Sequence, residues 1–390
     1  MPLVNLKDML RHARANGYAI GAYDVVDCNF IAAVIAGAEA ARAPVIISFA
    51  ESHFAHYDFP VLLTAAAAAA KRASVPVALF LDHGSGLESA VTAIGHGANG
   101  VMVDASHLPF DDNVAATRAV VAMAHAIGVP VEGELGYVPG VEGEDAERHP
   151  GEMRMTEAAE AALYVDATGV DFLAVSVGTV HGRLRGEPRL DLDRLTDIAN
   201  AVGVPLVIHG GTGLSDEQFR ALIARGVAKI NYYTALSDLA AAAATSALEP
   251  IEASYTAGMD AVRAALTGEV ARTCAVFGAA GRAEAALAAC RPWREVEHLI
   301  LFNWSDSAAD REAAFEAEGR QVLAQVPGVR GVAVGHALRA EALYQRAWFI
   351  RLASPDAEVA YMANAAHLDY ADRVFRPHAG DRLKVDYALD

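Results

Sequence analysis

Cysteine is scarce in this 390-residue sequence. Cys28, Cys274 and Cys290 are odd in number and far apart, and no CxxC pair occurs. That argues against a disulfide framework and against a cysteine-based zinc site. Reduced, inert thiols in a cytoplasmic protein are the expectation. Basic residues are also in short supply: 31 Lys and Arg stand against 49 Asp and Glu, a net charge of -18. This balance argues against non-specific binding to nucleic acid or to anionic membranes. No uninterrupted apolar run is long enough to span a bilayer. The opening "MPLVNLKDMLRHARANGYA" lacks the hydrophobic region of a signal peptide and shows helical periodicity instead.

Hydrophobic residues are plentiful, at 54% of the chain. With this length, two domains are expected. The alanine block "TAAAAAAKRA" (64–73) has high helix propensity and reads as an ordinary helix. Short β-branched runs recur at 18–23, 44–50, 76–82, 100–105, 130–136, 171–178, 205–211 and 228–233, with helical patterns between them. Near-continuous apolar strands alternating with helices imply a parallel sheet. Four strands share one lead-in, a helix and then x-Pro: "RAPVII", "SVPVAL", "GVPVEG" and "GVPLVI". Eight such units in this length predict a (β/α)8 TIM barrel, with a doubly wound sheet as the alternative. Past Cys290 the pattern changes to a small βαββαβ unit, a ferredoxin-like α+β arrangement. The expected domains are 1–288 and 293–390.

In such a barrel the chemistry gathers at the C-terminal ends of the strands. Asp82-His83 ends the third run, and Asp104, Ser106 and His107 follow the fourth. Glu132 and Glu134 lie at the end of the fifth, Ser176 and His181 after the sixth, His209 at the seventh, and Asn231 and Thr234 at the eighth. His83, His181 and His209 form a candidate metal triad, since three neutral imidazoles with an open position make a catalytic zinc arrangement. Glu134 is an additional candidate ligand. "HGGTGLSDEQF" (209–219) is a Gly-rich turn opening a helix, suited to a phosphate through Gly211 to Gly213. Ser215 with Gln218 fits a capping box, so Ser215 reads as structural. A metal beside a phosphate site suggests a small phosphorylated carbonyl substrate. Asp82 suits the hydroxyl proton and Glu142, on the acidic loop 136–153, the C–H proton.

These residues together resemble the class II, metal-dependent ketose-bisphosphate aldolases, fructose- and tagatose-bisphosphate aldolases included. The resemblance runs over 3–283 through "LDHG", "VMVDASHLPFDDN", "VEGELG", "GTVHG", "HGGTGLSD", "KINYYT" and "FGAAGRA". It implies a zinc ion (Zn2+) on His83, His181 and His209, with Glu134 at an alternate metal position. It also implies Asp82 as acid/base on the substrate C4 hydroxyl and Glu142 as the mobile-loop base. Gly182, Gly210, Gly211, Thr212, Asn231 and Thr234 match positions that bind the dihydroxyacetone-phosphate half. A monovalent cation such as Na+ or K+ near the phosphate is usual in that family. Asp24 stands where an Asn is common, "IISFAES" replaces a Gln-x-Ser pattern, and Tyr232 and Tyr233 sit beside the expected phosphate, where both could narrow the pocket.

The tail resembles the stress-responsive dimeric α/β-barrel (Dabb) domains through "VEHLILF", "AHLDY" and the closing "VDY". Such domains usually dimerise, which implies a homo-oligomer, dimer or tetramer. His298, His336, His367 and His378 could line a pocket there, although an oligomerisation module with scattered histidines is the preferred reading. The leading functional expectation is cleavage of a fructose-1,6-bisphosphate-like ketose to dihydroxyacetone phosphate and an aldehyde such as glyceraldehyde 3-phosphate. An aldolase for a different ketose phosphate and a non-catalytic phosphosugar-binding scaffold are the alternatives. A metal hydrolase is disfavoured because no HxH or HExxH pair occurs.

Overall fold

The computed structural model describes residues 2–140, 153–183, 188–250 and 252–389. The chain divides into two compact units, one built on 1–90, 98–121 and 130–292, the other on 91–97, 122–129 and 293–390. The first is a closed barrel of eight parallel strands in sequence order. They are β1 (Ile20–Asp24), β2 (Val45–Ala50), β3 (Val77–Gly84), β4 (Gly100–Val103), β5 (Val131–Leu135), β6 (Phe172–Val175), β7 (Leu206–Ile208) and β8 (Val227–Tyr232). Each apolar run of the sequence supplies one strand, and a TIM barrel is the fold.

The x-Pro device explains how the strands begin. Pro44, Pro76, Pro130 and Pro205 each stand immediately before a strand. A proline restricts the residue before it and lacks an N–H, so it stops the helical turn and suits a first strand position. Its carbonyl then serves the neighbouring strand. The N–H groups of Val45, Val101 and Leu173 donate to the carbonyls of Pro76, Pro130 and Pro205 at 2.9, 3.2 and 3.1 Å. Helix starts are fixed by side-chain caps: Asp27 accepts from Asn29 and Phe30, and Asp58 from Val61. Ser215 and Gln218 form the reciprocal capping box expected of them, at 2.9 and 3.3 Å.

The second unit is a four-stranded sheet in the order β10-β11-β9-β12, with every pairing antiparallel. Its strands are β9 (Val296–Trp304), β10 (Val329–His336), β11 (Arg346–Leu352) and β12 (Ala379–Ala388). Helices between β9 and β10 and between β11 and β12 give the expected βαββαβ order. Strand alternation sorts the faces. His298, Ile350 and Trp348 are buried on one face, where Tyr361 of the helix Pro355–Ala363 packs near His298. Leu299, Leu301, Phe349, Leu383 and Val385 share the other by register, and Phe349 and Leu383 are exposed. The four tail histidines do not share one pocket. His298 and His367 flank Tyr361, with ring centroids 5.7 and 4.2 Å away, whereas His336 contacts Glu316 and His378 the Val374 carbonyl. Among the described residues no helix is long and apolar enough to cross a membrane.

Candidate active site

Barrel closure brings His83 from β3, His181 beyond β6 and His209 beyond β7 to one point. Their ring centroids lie 4.8, 4.6 and 5.6 Å apart pairwise, and one nitrogen of each lies within 4.8 Å of the others. What each ring does with its second nitrogen decides which one faces inward. His83 Nδ1 is 2.8 Å from Asp104 Oδ2, and Asp104 is held by the N–H and hydroxyl of Ser106 at 3.0 and 2.7 Å. His209 Nε2 is 2.9 Å from Glu132 Oε1. His181 Nδ1 is 3.2 Å from the Val138 carbonyl. In each case an acceptor of the protein takes the ring N–H, so the opposite nitrogen carries the lone pair.

The inward atoms are therefore His83 Nε2, His209 Nδ1 and His181 Nε2. The first two are only 2.9 Å apart. In neutral rings both are acceptors, and the contact is favourable only if a cation, a proton or a metal ion, is shared there. The surroundings favour positive charge. Burial opposes it on His83, but Asp82 and the bonded Asp104 outweigh burial and push the imidazole well above its usual range. His181 is pulled down to about 3 by burial and then by His83 and His209, so it stays neutral and ready to donate a lone pair. His181 Nε2 and Glu134 Oε2 are buried without a hydrogen-bond partner among the described residues. Burial raises the Glu134 carboxyl well above the carboxylate range. Three imidazoles and a carboxyl, with the inward atoms of His181 and Glu134 orphaned, are a donor set that fits zinc. A cleft of about 290 Å3 opens beside it, lined in part by His83, Asp104, His107 and His181.

Asp82 and His83 are consecutive, and strand alternation alone would send them to opposite faces. They share the site because His83 takes a left-handed φ of 47° and the β3–β4 register slips between Leu81 and Gly84. The sequence suggests Gly84 as the residue that gives this freedom. Its role is instead close approach: a Cβ on Gly84 would lie 2.6 Å from the Met102 carbonyl. A non-glycine residue in this conformation costs about 1–3 kcal/mol, strain that clusters at functional sites. Asp82 is fully buried and accepts from Asn231 Nδ2 on both oxygens, at 2.9 and 2.8 Å. Burial would raise its carboxyl, but His83, His209 and Lys229 outweigh it, and Asp82 lies below the usual range.

The phosphate candidates gather beside β7 and β8. Gly210 has φ 69°, and a Cβ there would lie 2.1 Å from the Val180 carbonyl. Gly182 follows His181 at φ 78°. Gly211 lies against the Asn231 carbonyl, with 3.1 Å available to a Cβ. Thr212 Oγ1 accepts from the Ala235 N–H at 3.2 Å, tying this loop to the helix Thr234–Leu248. Tyr233, the N-cap residue of that helix, makes no side-chain cap, and Thr212 serves the first-turn Ala235 N–H in its place. Glu142 lies outside the described residues.

The two adjacent tyrosines face opposite ways. Tyr232 turns to the helix layer, where its hydroxyl donates to Glu269 at 2.7 Å, so it does not narrow the mouth. Tyr233 packs its ring 4.4 Å from His53 and 6.4 Å from Phe30. Asp24 is fully buried, in register with Ser48. Sequence reading noted Glu132 and Asp104 without giving them a task and passed over Lys229. Strand parity is the signal that finds Glu132 and Lys229: Glu132 is two residues from Glu134, and Lys229 two from Asn231.

Residues 4–282 match the family described as fructose-bisphosphate aldolase class-II, and residues 296–389 the stress responsive A/B barrel domain. A probable fructose-bisphosphate aldolase of Bacillus subtilis is 36% identical over 288 residues, 73% of this chain and 100% of the relative. A fructose-bisphosphate aldolase of Staphylococcus aureus is 39% identical over 237 residues, 60% of this chain and 82% of its own. The crystal structure of the YdjI aldolase from Escherichia coli K12 superposes with a TM-score of 0.66 at 33% identity, covering 72% of this chain and 99% of that one.

Proposed function

The chain belongs to the class II fructose-bisphosphate aldolase family and carries a C-terminal stress-responsive A/B barrel domain, and from that premise we propose its substrate and the residues that act on it. The protein is an aldolase, a carbon–carbon lyase. The proposed reaction is reversible cleavage of a fructose-1,6-bisphosphate-like ketose to dihydroxyacetone phosphate and an aldehyde such as glyceraldehyde 3-phosphate. The observation that carries this reading is the convergence of His83 Nε2 and His209 Nδ1, 2.9 Å apart beside the buried Asp82.

His83, His181 and His209 would hold zinc, with Glu134 as an alternate ligand. Bound zinc supplies a Lewis acid that draws electrons from the substrate carbonyl. Asp82, kept ionised, takes the C4 hydroxyl proton as the C3–C4 bond opens. Asn231 holds both Asp82 oxygens and so aims the carboxylate. The electron pair of the broken bond stays with the dihydroxyacetone fragment, and Glu142 delivers a proton to its carbon. Gly182, Gly210, Gly211, Thr212, Asn231 and Thr234 bind the phosphate-bearing half through backbone N–H groups and hydroxyls, with a Na+ or K+ ion nearby. The open apolar face of the second unit's sheet supports a homo-oligomer. Net charge and three free cysteines support a cytoplasmic setting.

The test is release of dihydroxyacetone phosphate from a panel of ketose phosphates. Activity on at least one ketose 1-phosphate or bisphosphate is expected, lost on treatment with EDTA and restored by zinc. Undiminished release after complete metal removal would reject the zinc assignment.

A further inference from the structure

A buried ion pair sits directly behind His209. Lys229 on β8 directs its ammonium to both oxygens of Glu132 on β5, at 2.8 and 3.1 Å. Both residues are fully buried, and the ammonium also lies 4.2 Å over the Phe80 ring. An ion pair taken wholly out of water gains little stability over apolar packing, so stability is a poor reason for its presence. Its geometry offers a better one. Glu132 Oε1 also accepts from His209 Nε2 at 2.9 Å. The chain Lys229, Glu132, His209 thus runs from one side of the barrel interior to the candidate metal centre.

We infer that Glu132 and Lys229 are positioning residues that fix the tautomer of His209. Neither ligand contact nor catalysis is assigned to them; they act through the imidazole, and the inference rests on the proposed metal site. Lys229 has donors only, and it engages both oxygens of Glu132. Glu132 therefore presents a pure acceptor to His209. A neutral imidazole answers a pure acceptor with N–H, so the proton sits on Nε2 and the lone pair on Nδ1, the atom facing His83. Lys229 is the element that makes this a one-way arrangement, because an acceptor that could also donate would allow the opposite tautomer.

Glu132→Gln sharpens the point. The amide keeps the size of the carboxylate but has one acceptor and one donor end. Lys229 would capture the oxygen and leave the NH2 facing His209 Nε2. The proton would then move to Nδ1 and block the inward nitrogen. Removing Lys229 as well, in Glu132→Gln/Lys229→Met, frees the amide oxygen to turn to His209. The double variant should therefore recover part of what the single one loses.

The experiment reads ring 15N chemical shifts of His209 in metal-free protein and zinc affinity by competition with a chromogenic chelator. Wild-type protein is expected to show the Nε2–H tautomer. Glu132→Gln should show Nδ1–H and bind zinc roughly 10–100-fold more weakly, the usual cost of losing such a partner. The double variant should return toward Nε2–H and bind more tightly than Glu132→Gln. An Nδ1–H tautomer in the wild-type protein overturns the inference, and so does a double variant that binds zinc no more tightly than Glu132→Gln. The tautomer is measured without metal and without turnover. A wild-type protein that fails to bind zinc would therefore sink the metal assignment while leaving this readout to stand or fall alone. If a substituted chain does not fold, the wild-type spectrum still decides.

Discussion

Asp82 carries the sharpest prediction at the scale of single residues. It touches Asn231 and stands 3.8 Å from His83 Nε2, yet none of the three inward imidazole nitrogens needs it as a hydrogen-bond partner. Asp82→Ala is therefore expected to lower kcat about 10²–10⁴-fold, the range for a lost acid/base, while zinc content by mass spectrometry stays at one per chain. Loss of metal in step with activity would reassign Asp82 to the ligand set. His181 makes a pH prediction for the metal-free protein. Its folded pKa, about 3, lies below the ordinary His value of about 6.5. Below pH 6.5 the unfolded chain takes a proton that the folded site refuses, so stability falls as pH drops from 6.5 towards 3. Raised His83 adds no slope in that window, because both its states are protonated there. His209, also held below its ordinary value by burial and then by His83, adds to the same slope, so urea midpoints of EDTA-treated protein should decline across it and His181→Asn should make the decline shallower. The residue types and their strand ends were legible in the sequence. The proton positions were not, because Asp104, Glu132 and the Val138 carbonyl reach the imidazoles only after the barrel closes.

The strand ends and the loops beyond them set the geometry at the next scale. β3 breaks its own alternation at His83, and the β7–β8 region depends on backbone that side chains would obstruct. Gly210 is the clearest case: a positive φ and a carbonyl 2.1 Å from any Cβ leave no space to relax. Gly210→Ala should destabilise the fold by about 1–3 kcal/mol and raise KM for the phosphorylated ketose more than it lowers kcat. Thermal melts and steady-state kinetics check the two halves separately. An unchanged KM would remove this turn from the phosphate site. The sequence located the glycine-rich turn, since Gly-Gly-x-Gly before a capping box is a local signal. It did not tell Tyr232 from Tyr233, because side is a matter of register: one tyrosine faces Glu269 and the helices, its neighbour packs on His53.

For the whole molecule, the open question is what covers the sheet of the second unit. Leu299, Leu301, Phe349, Leu383 and Val385 make an apolar face larger than isolated surface residues would explain. A second copy of the chain is the proposed cover. Phe349→Asp should reduce the mass in solution, measured by light scattering, from a multiple of 40.9 kDa towards that of one chain. A wild-type protein that is already monomeric at micromolar concentration would end the proposal. The substitution lies in the second unit, so dihydroxyacetone phosphate release per barrel offers a control that the first unit remains folded.

The sequence by itself determined the periodic part of this protein. Eight apolar runs, their proline lead-ins and the helical patterns between them specify a (β/α)8 barrel, because each signal is local and repeats. A barrel also forces its strand ends to one rim, so three histidines at the ends of β3, β6 and β7 had to be neighbours. Tertiary structure alone decided the rest. His83 and His209 are 126 residues apart in the chain and 2.9 Å apart in the fold. Only that closure determines which nitrogen of each ring looks inward and which meets a carboxylate. It likewise buries Lys229 against Glu132, a pairing across 97 residues that no spacing announces. Hydrogen-bond direction is a property of contacts, and these contacts are long-range.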